Sequence, residues 1–217
     1  MIVEDRLFTY ITSLDSELPE YLDSIRQQAI DGDVPIIRRD MQMLMKWLMA
    51  SYRPERILEV GAAVGFSALL MAEFNRNAHI TTIENYEPRI VKAGENIASS
   101  PHADRITLLE GDAAEILPGL SEGGAKFDFV FMDAAKGQYP ALLPIVLDLM
   151  DDGAVLVTDN VLFDGDIIES KYLIKRRNRT IHTRMREYLY TLTHTDGLIT
   201  TVLPVGDGVS LSVKTER

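Results

Sequence analysis

Acidic and amide side chains follow two apolar stretches of this sequence at matching positions. Residues 127–132 are almost wholly apolar and are followed by Asp133, and residues 154–158 are followed by Asp159 and Asn160. Short apolar runs of this kind are typical of strands that are buried on both faces of a parallel sheet. Because ligands of open parallel sheets bind just beyond the carboxyl ends of the strands, these three side chains are predicted to meet at one place.

The chemistry that suits this group of side chains is magnesium binding, assisted by a nearby lysine. Mg²⁺ prefers a few protein oxygen ligands and keeps positions for water or substrate. Lys136 follows Asp133 at a spacing of three residues, and beside a dication it would give up its proton more readily and could act as a base. The alternatives are a solvated loop lysine for Lys136 and a helix cap or turn for Asp159 and Asn160.

A glycine-containing turn lies between a predicted strand and a predicted helix, in the sequence Glu59-Val-Gly-Ala-Ala-Val-Gly-Phe-Ser. Gly61 and Gly65 allow a tight bend and a close approach to a ligand, and Ser67 opens the helix with a hydroxyl group and free N–H groups. The spacing lacks the Gly-x-Gly of dinucleotide sites, and Glu59 would repel a pyrophosphate but accept an ammonium group. The pattern therefore favours S-adenosylmethionine over NAD, although a tight turn with no ligand remains the alternative.

Two further acids end the next two predicted strands. Glu84 comes about 20 residues after the glycine turn, where an acid can accept hydrogen bonds from a ribose diol. Asp112 follows the third strand in Gly-Asp-Ala, a short acidic turn suited to an adenine amino group. Acids at three successive strand ends together predict a nucleoside cofactor.

The elements that position these residues alternate between strands and helices. Strands are predicted at 56–61, 78–84, 105–111, 127–133 and 153–159, and helices at 66–76, 87–99, 113–118 and 138–150. This alternation predicts an α/β fold with a doubly wound, Rossmann-like, mostly parallel sheet. Residues 199–205 and 209–213, joined by Gly-Asp-Gly, predict an antiparallel C-terminal hairpin. We interpret residues 1–217 as one domain, with an N-terminal helical region at 1–52 and a Rossmann-like core at 53–217.

Composition limits the classes of protein. The chain has 217 residues and no cysteine, which excludes disulfides and thiolate metal sites. Its net charge of −11 excludes a protein that coats nucleic acids in general. The N-terminus lacks the pattern of a signal peptide, and no apolar run has the length of a membrane span. We therefore expect a soluble cytoplasmic protein with no membrane partner.

Three segments carry a family resemblance: Asp133-Ala-Ala-Lys-Gly-Gln-Tyr, Thr158-Asp-Asn-Val-Leu-Phe-Asp-Gly and Pro204-Val-Gly-Asp-Gly. With them, nearly the whole chain resembles the metal-dependent O-methyltransferases, which include catechol and caffeoyl-CoA methyltransferases. The resemblance is greatest to the bacterial tRNA 5-hydroxyuridine methyltransferase branch. It implies a methyltransferase fold, Mg²⁺ and S-adenosylmethionine as cofactors, and a homodimer formed through the N-terminal helices.

The resemblance also implies roles for individual residues. Mg²⁺ would be held by Asp133, Asp159 and Asn160, and Lys136 occupies the position of the family's base. The cofactor would be contacted by Ile37, Glu59, Gly61, Gly65, Ser67, Glu84, Asp112, Ala113 and Asp133.

A basic stretch near the C-terminus bears on the substrate. No acid lies between Glu169 and Glu187, and the cationic residues there include Lys171, Lys175, Arg176, Arg177 and Arg179. Such a stretch in an acidic chain is consistent with phosphate contacts to RNA, extended by Arg38 and Arg39; the alternative is a solvated, salt-bridged helix face.

The leading hypothesis is therefore a Mg²⁺-dependent methyltransferase that converts 5-hydroxyuridine in the tRNA anticodon loop to 5-methoxyuridine. Metal chelation requires a hydroxyl group beside a second oxygen donor, which a catechol also offers. The enzymatic alternative is accordingly a free catechol-like or caffeoyl-CoA-like phenol. An alternative of another class is a protein that binds S-adenosylmethionine without catalysis.

Overall fold

The computed structural model describes residues 2–216, and its centre is a seven-stranded sheet. The strands are β1 (Arg56–Val60), β2 (His79–Glu84), β3 (Ile106–Glu110), β4 (Phe127–Met132), β5 (Met150–Thr158), β6 (Leu198–Leu203) and β7 (Val209–Lys214). Their order across the sheet is β3-β2-β1-β4-β5-β7-β6. Strands β1 to β5 are parallel, and β7 lies antiparallel to both β5 and β6. The predicted doubly wound sheet with an antiparallel C-terminal hairpin is confirmed.

Helices cover both faces of this sheet. They are α1 (Asp5–Ser13), α2 (Glu20–Asp31), α3 (Arg39–Tyr52), α4 (Phe66–Phe74), α5 (Glu87–Ala98), α6 (Ala113–Glu122), α7 (Tyr139–Leu149) and α8 (Arg179–His194). Residues of α2, α3 and α4 pack on one face, and residues of α6, α7 and α8 pack on the other. The sequence pattern predicted the other seven helices, individually or as part of the N-terminal helical region. Helix α8 was not predicted, because its many arginines obscure the apolar stripe of Met185, Tyr188 and Leu192.

The N-terminal helices are needed because α4 is apolar on all sides. Every residue from Phe66 to Ala72 is buried, so the outer side of α4 also requires a cover. Helices α2 and α3 pack against it and supply that cover. Burying α4 in this way holds the turn at its N-terminus between the sheet and the helical layer.

Hydrogen bonds continue the sheet one residue beyond its central strands. The Asp133 N–H donates to the Val60 carbonyl at 2.9 Å, and the Asp159 N–H donates to the Met132 carbonyl at 3.1 Å. The Gly61 N–H donates to the Ile83 carbonyl at 3.0 Å. The first residue after each strand is therefore fixed by the neighbouring strand, and the acids at these positions have defined places.

Candidate active site

A cavity of about 600 Å³ opens at the carboxyl ends of the parallel strands. Among the residues predicted for the site, those that line it are Ile37, Arg38, Gly61, Glu84, Ala113, Asp133, Lys136, Asp159 and Asn160. The cavity therefore brings together the predicted metal residues, the lysine and part of the predicted cofactor turn.

Asp133, Asp159 and Asn160 form a hydrogen-bonded group on the floor of the cavity. The Asn160 side-chain amide donates to Asp133 Oδ1 at 3.0 Å, and the Asn160 backbone N–H donates to Asp159 Oδ1 at 2.6 Å. Asn160 has φ 62°, a left-handed conformation that asparagine tolerates better than most residues. This backbone turn directs the amide back toward β4 and closes the group.

The carboxylates of Asp133 and Asp159 repel each other, and both are largely buried from solvent. Burial raises the pKa of both Asp133 and Asp159 above the usual aspartate range, and the charge of Asp133 raises that of Asp159 further. The charge of Lys136 opposes the shift at Asp133. A cation held by the two carboxylates would remove this penalty, so the donor set fits a hard divalent ion.

The third donor of such a site would have to be the Asn160 amide oxygen. Within residues 2–216, no group of three or more histidine, cysteine, aspartate or glutamate side chains has an arrangement that could hold a metal ion. In the present hydrogen-bond network Asn160 presents its nitrogen to Asp133, so ligation requires the amide to turn over.

Lys136 lies at the side of the cavity, in a short 3₁₀ turn (Lys136–Gln138) before α7. Its Nζ is 5.2 Å from the centroid of the Phe163 ring, a cation–π contact with the loop that follows Asn160. The ammonium group is thus held beside the acids by charge and by an aromatic face.

Asp207 is a further acid in the cavity that was not among the site residues predicted from the sequence. It lies in the β6–β7 turn, where its Oδ1 is 2.7 Å from Arg38 Nη2. Burial and a hydrogen bond with Asp164 raise the pKa of Asp207. The only signal in the sequence was the Gly206-Asp-Gly segment, whose chemistry could not be separated from its turn geometry.

Arg38 forms ion pairs with two acids at the edge of the site. Besides Asp207, its Nη2 lies 3.4 Å from Asp164 Oδ1, so this guanidinium joins the segment before α3 to two loops over the metal residues. Arg39, the first residue of α3, is exposed and does not line the cavity.

The glycine turn contacts Asp133, the residue that follows β4. Gly61 has φ 107°, and a Cβ at this position would lie 2.3 Å from the Asp133 carbonyl oxygen, so only glycine fits. Glu84 holds the same turn from the other side, because it accepts hydrogen bonds from the N–H groups of Ala63 at 2.8 Å and Asn85 at 3.0 Å. Gly65, with φ 80°, precedes the first turn of α4 and does not line the cavity.

Glu59 lies beneath this turn rather than in the cavity wall. It is fully buried, and its Oε2 accepts a hydrogen bond from Thr82 Oγ1 at 2.5 Å. Burial raises the pKa of Glu59 to about 7, and the hydrogen bond from Thr82 opposes this shift. Its Oε1 has no hydrogen-bond partner within residues 2–216, and such an unsatisfied acceptor fits a cationic donor.

Ser67 and Asp112 also lie outside the cavity lining. Ser67 is buried in the first turn of α4. Asp112 caps α6, where its Oδ1 accepts a hydrogen bond from the Ala114 N–H at 2.8 Å. Its neighbours Gly111 and Ala113 do line the cavity, so this turn borders the site.

The basic stretch is divided by the structure into loop and helix. Residues 171–178 form a loop ending in a 3₁₀ turn (Arg176–Asn178), and Arg179 begins α8. Arg179 donates to the carbonyl oxygens of Ile174 and Tyr172, at 3.1 Å each. Within the described chain, Lys171, Lys175, Arg176 and Arg177 have no acidic partner within 4.0 Å, so the alternative of a salt-bridged face does not describe them.

Comparison with known sequences gives a family match over almost the entire chain. The sequence profile described as O-methyltransferase matches residues 12–215. A catechol O-methyltransferase of Niastella koreensis is 35% identical over 118 residues, which cover 53% of this chain and 53% of that protein. The chain thus matches about half the length of this relative. A caffeoyl-CoA O-methyltransferase of Eucalyptus gunnii is 27% identical over 97% of this chain and 88% of its own.

Comparison with solved structures gives the same family of folds. The O-methyltransferase TomG of Streptomyces achromogenes, solved in complex with S-adenosylmethionine, superposes with a TM-score of 0.84 at 26% identity. The superposition covers 97% of this chain and 96% of that one. No helix within residues 2–216 is long and apolar enough to cross a membrane.

Proposed function

The chain belongs to the O-methyltransferase family, and from this membership we propose that it transfers a methyl group from S-adenosylmethionine to a hydroxyl oxygen. The observation that carries the proposal is the single cavity in which Asp133, Asp159, Asn160 and Lys136 face the glycine turn. Methyl transfer to oxygen needs a deprotonated hydroxyl held in line with the donor, and no covalent protein intermediate. A cavity that places an acid group and a base beside a cofactor turn supports that reaction.

S-adenosylmethionine would bind along the ends of β1, β2, β3 and β4. Glu84 lines the cavity and would accept hydrogen bonds from the ribose hydroxyls, and Glu59, buried beneath the glycine turn, would attract the ammonium group. The proposed contacts are Ile37, Glu59, Gly61, Gly65, Ser67, Glu84, Asp112, Ala113 and Asp133.

Asp133, Asp159 and Asn160 would hold Mg²⁺. When bound, this ion lowers the pKa of a substrate hydroxyl and aligns it with a neighbouring oxygen. The chain's own part is to keep two carboxylates close together, which the sheet hydrogen bonds of the Asp133 and Asp159 N–H groups and the Asn160 N–H bond to Asp159 support.

Lys136 would act as the base that removes the hydroxyl proton. Its side chain lies beside Asp133, whose pKa it lowers, and against Phe163, so Nζ is held near the acids. In this role Nζ first loses its own proton to water, and the neutral amine then takes the proton from the substrate oxygen and becomes ammonium again.

We propose that the substrate is 5-hydroxyuridine in the tRNA anticodon loop, converted to 5-methoxyuridine. The exposed cations Lys171, Lys175, Arg176 and Arg177, which have no acidic partner in the described chain, support an RNA substrate because phosphate contacts position nucleic acids. The second candidate is a free phenol, favoured by the names of the catechol and caffeoyl-CoA relatives.

Bulk tRNA from a strain that lacks this gene separates the two candidates. We expect Mg²⁺-dependent methylation of that tRNA and little turnover of a catechol panel, measured by mass spectrometry of the nucleosides. The double variant Arg176→Glu/Arg177→Glu should lose tRNA methylation, because like charges repel the phosphates. Unchanged tRNA turnover in this variant, or efficient turnover of a catechol alone, would overturn the RNA assignment.

We also propose a homodimer formed through the N-terminal helices. Helices α1 and α3 pack together and expose large apolar side chains: Leu7, Tyr10, Leu14 and Trp47. If these side chains form one contiguous apolar patch, such a patch would mark a contact surface.

A further inference from the structure

Three large apolar side chains are exposed to solvent on the segment that connects β5 to α8. Ile168, Tyr172 and Leu173 are 81%, 73% and 75% exposed. They lie between the loop that follows Asn160 and the start of α8. We name Ile168, Tyr172, Leu173 and the cations Lys175, Arg176 and Arg177 the loop platform.

The backbone of the loop platform is held from beneath. Arg179 donates to the Tyr172 and Ile174 carbonyls at 3.1 Å each, and the Leu173 N–H donates to the Ser170 carbonyl at 2.8 Å. Ile174 is buried and anchors the centre of the segment. The outward position of Tyr172 and Leu173 is therefore built into the loop.

Two further arginines of the basic stretch join α8 to loops around the site. Arg184 donates to the Gly137 carbonyl at 2.9 Å, next to Lys136, and Arg186 donates to the Ile167 carbonyl at 3.0 Å. Like Arg179, these two arginines donate hydrogen bonds to backbone carbonyl groups. They therefore position loops and are less available to a ligand.

The remaining cations of the platform are available. Lys175, Arg176 and Arg177 are exposed, and no acid of the described residues pairs with them. They are consecutive in a chain whose net charge is −11, so the positive charge is concentrated locally. An aromatic ring beside unpaired cations suits a ligand that has both flat apolar faces and phosphates.

We propose that the loop platform binds the single-stranded loop of the substrate RNA, with one base stacked on Tyr172 and phosphates paired with Lys175, Arg176 and Arg177. This inference rests on the proposed RNA substrate. Proteins that bind single strands combine a positive groove with aromatic side chains, and the bases of a duplex offer no free face for stacking. Helix α8 connects the platform with the site, because its Arg179 holds the platform backbone and its Arg184 holds the Gly137 carbonyl next to Lys136.

Fluorescence anisotropy with a labelled RNA hairpin tests the stacking part. Tyr172→Ala should weaken binding roughly 5- to 100-fold, as expected for loss of one base–aromatic stack. Tyr172→Phe keeps the ring and should bind like the unmodified protein. Tyr190→Ala, which removes another tyrosine that is 64% exposed, is the matched control and should have no effect.

The salt dependence of the same binding tests the phosphate part. Arg176→Ala and Arg177→Ala should each reduce the slope of log affinity against log salt by about 0.7, the value for one phosphate of a single strand. Arg6→Ala, which removes an exposed arginine of α1, should leave the slope unchanged.

The outcomes separate this inference from the proposed function. If Tyr172→Ala binds the hairpin as tightly as the unmodified protein, or loses affinity for a loop-free duplex equally, the platform assignment is wrong, while tRNA methylation still supports the function. If the protein neither binds the hairpin nor methylates tRNA but methylates a catechol, both fail. Tighter binding to phosphatidylserine vesicles than to the hairpin, lost in Tyr172→Ala, would identify a membrane contact and overturn the inference.

Discussion

At the scale of single residues, the site depends on charges that the fold places where hydration is poor. Asp133 and Asp159 share the cavity floor, and Glu59 lies fully buried under the cofactor turn. Strand ends explain why these acids meet, and that much followed from the sequence. The burial of Glu59 did not, because the cover over β1 comes from residues distant in the chain.

Lys136→Met tests the proposed base. Without a group to accept the hydroxyl proton, the rate of methyl transfer should fall about 10²- to 10⁴-fold, while affinity for S-adenosylhomocysteine stays the same. Steady-state kinetics and calorimetry measure the two effects, with Lys92→Met on α5 as control. A rate within tenfold of the unmodified protein would contradict a role for Lys136 in proton transfer.

Glu59→Gln should change how stability depends on pH. The folded protein raises the pKa of Glu59 from 4.5 to about 7 and so holds the proton more tightly than the unfolded chain. The contribution of this group is therefore favourable at low pH and is lost as pH rises through about 7. Relative to the unmodified protein, the variant should gain about 2 to 3 kcal/mol between about pH 5 and about pH 8.

Urea unfolding across that pH range gives the comparison. Glu122→Gln, at an exposed position, should show no such gain. A constant difference between Glu59→Gln and the unmodified protein would mean that Glu59 is ionised in the folded state throughout the range.

At the scale of elements, the β6–β7 turn fixes the loop that carries two of the proposed metal ligands, Asp159 and Asn160. The Val161 N–H donates to the Gly208 carbonyl at 2.8 Å, and the Leu162 N–H donates to the Asp207 carbonyl at 2.9 Å. The sequence predicted this hairpin from Gly206-Asp-Gly. It could not show that the turn also supports Asn160, because that contact joins segments about 45 residues apart.

Gly208→Ala tests this support. A Cβ at position 208 would lie 2.3 Å from Leu162 Cγ, so Leu162 and the adjoining metal loop must move. We expect metal affinity, measured by titration calorimetry, to fall at least about tenfold, or roughly 1.4 kcal/mol. Gly124→Ala is the control, because Gly124 has a similar φ of 74° with nothing within 4 Å of the added Cβ. Equal effects in both variants would show that backbone strain alone is responsible.

The same reasoning explains why the basic stretch was only partly understood from the sequence. Its positive charge was evident from the sequence. The sequence did not show which cations are free and which donate to carbonyl oxygens, as Arg179, Arg184 and Arg186 do. Which arginine meets a carbonyl depends on how α8 packs on distant loops, and local sequence carries no signal of that.

At the scale of the whole molecule, the N-terminal helices serve both the core and the surface. Their inner sides cover α4, and their outer sides leave Trp47 62% exposed and Leu14 64% exposed. Helical periodicity predicted these helices, whereas the side facing outward could be assigned only once α4 was known to need a cover.

Trp47→Glu tests the proposed dimer. A charge at the centre of an apolar contact should convert the protein to a monomer, seen by sedimentation velocity, with little loss of stability because the side chain is already exposed. Val91→Glu, at a position 58% exposed on α5, should leave the oligomeric state unchanged. Identical sedimentation of both variants and the unmodified protein would argue against this interface.

The hydrogen bonds that extend the sheet past its strands have a consequence for exchange with solvent. Gly61, Asp133 and Asp159 line an open cavity, yet the amide of each is bonded to the neighbouring strand, so its hydrogen becomes free only when the sheet itself opens. In deuterated water they should therefore label as slowly as amides at the centre of β4. The floor on which ligands would settle is then as rigid as the protein's most protected interior.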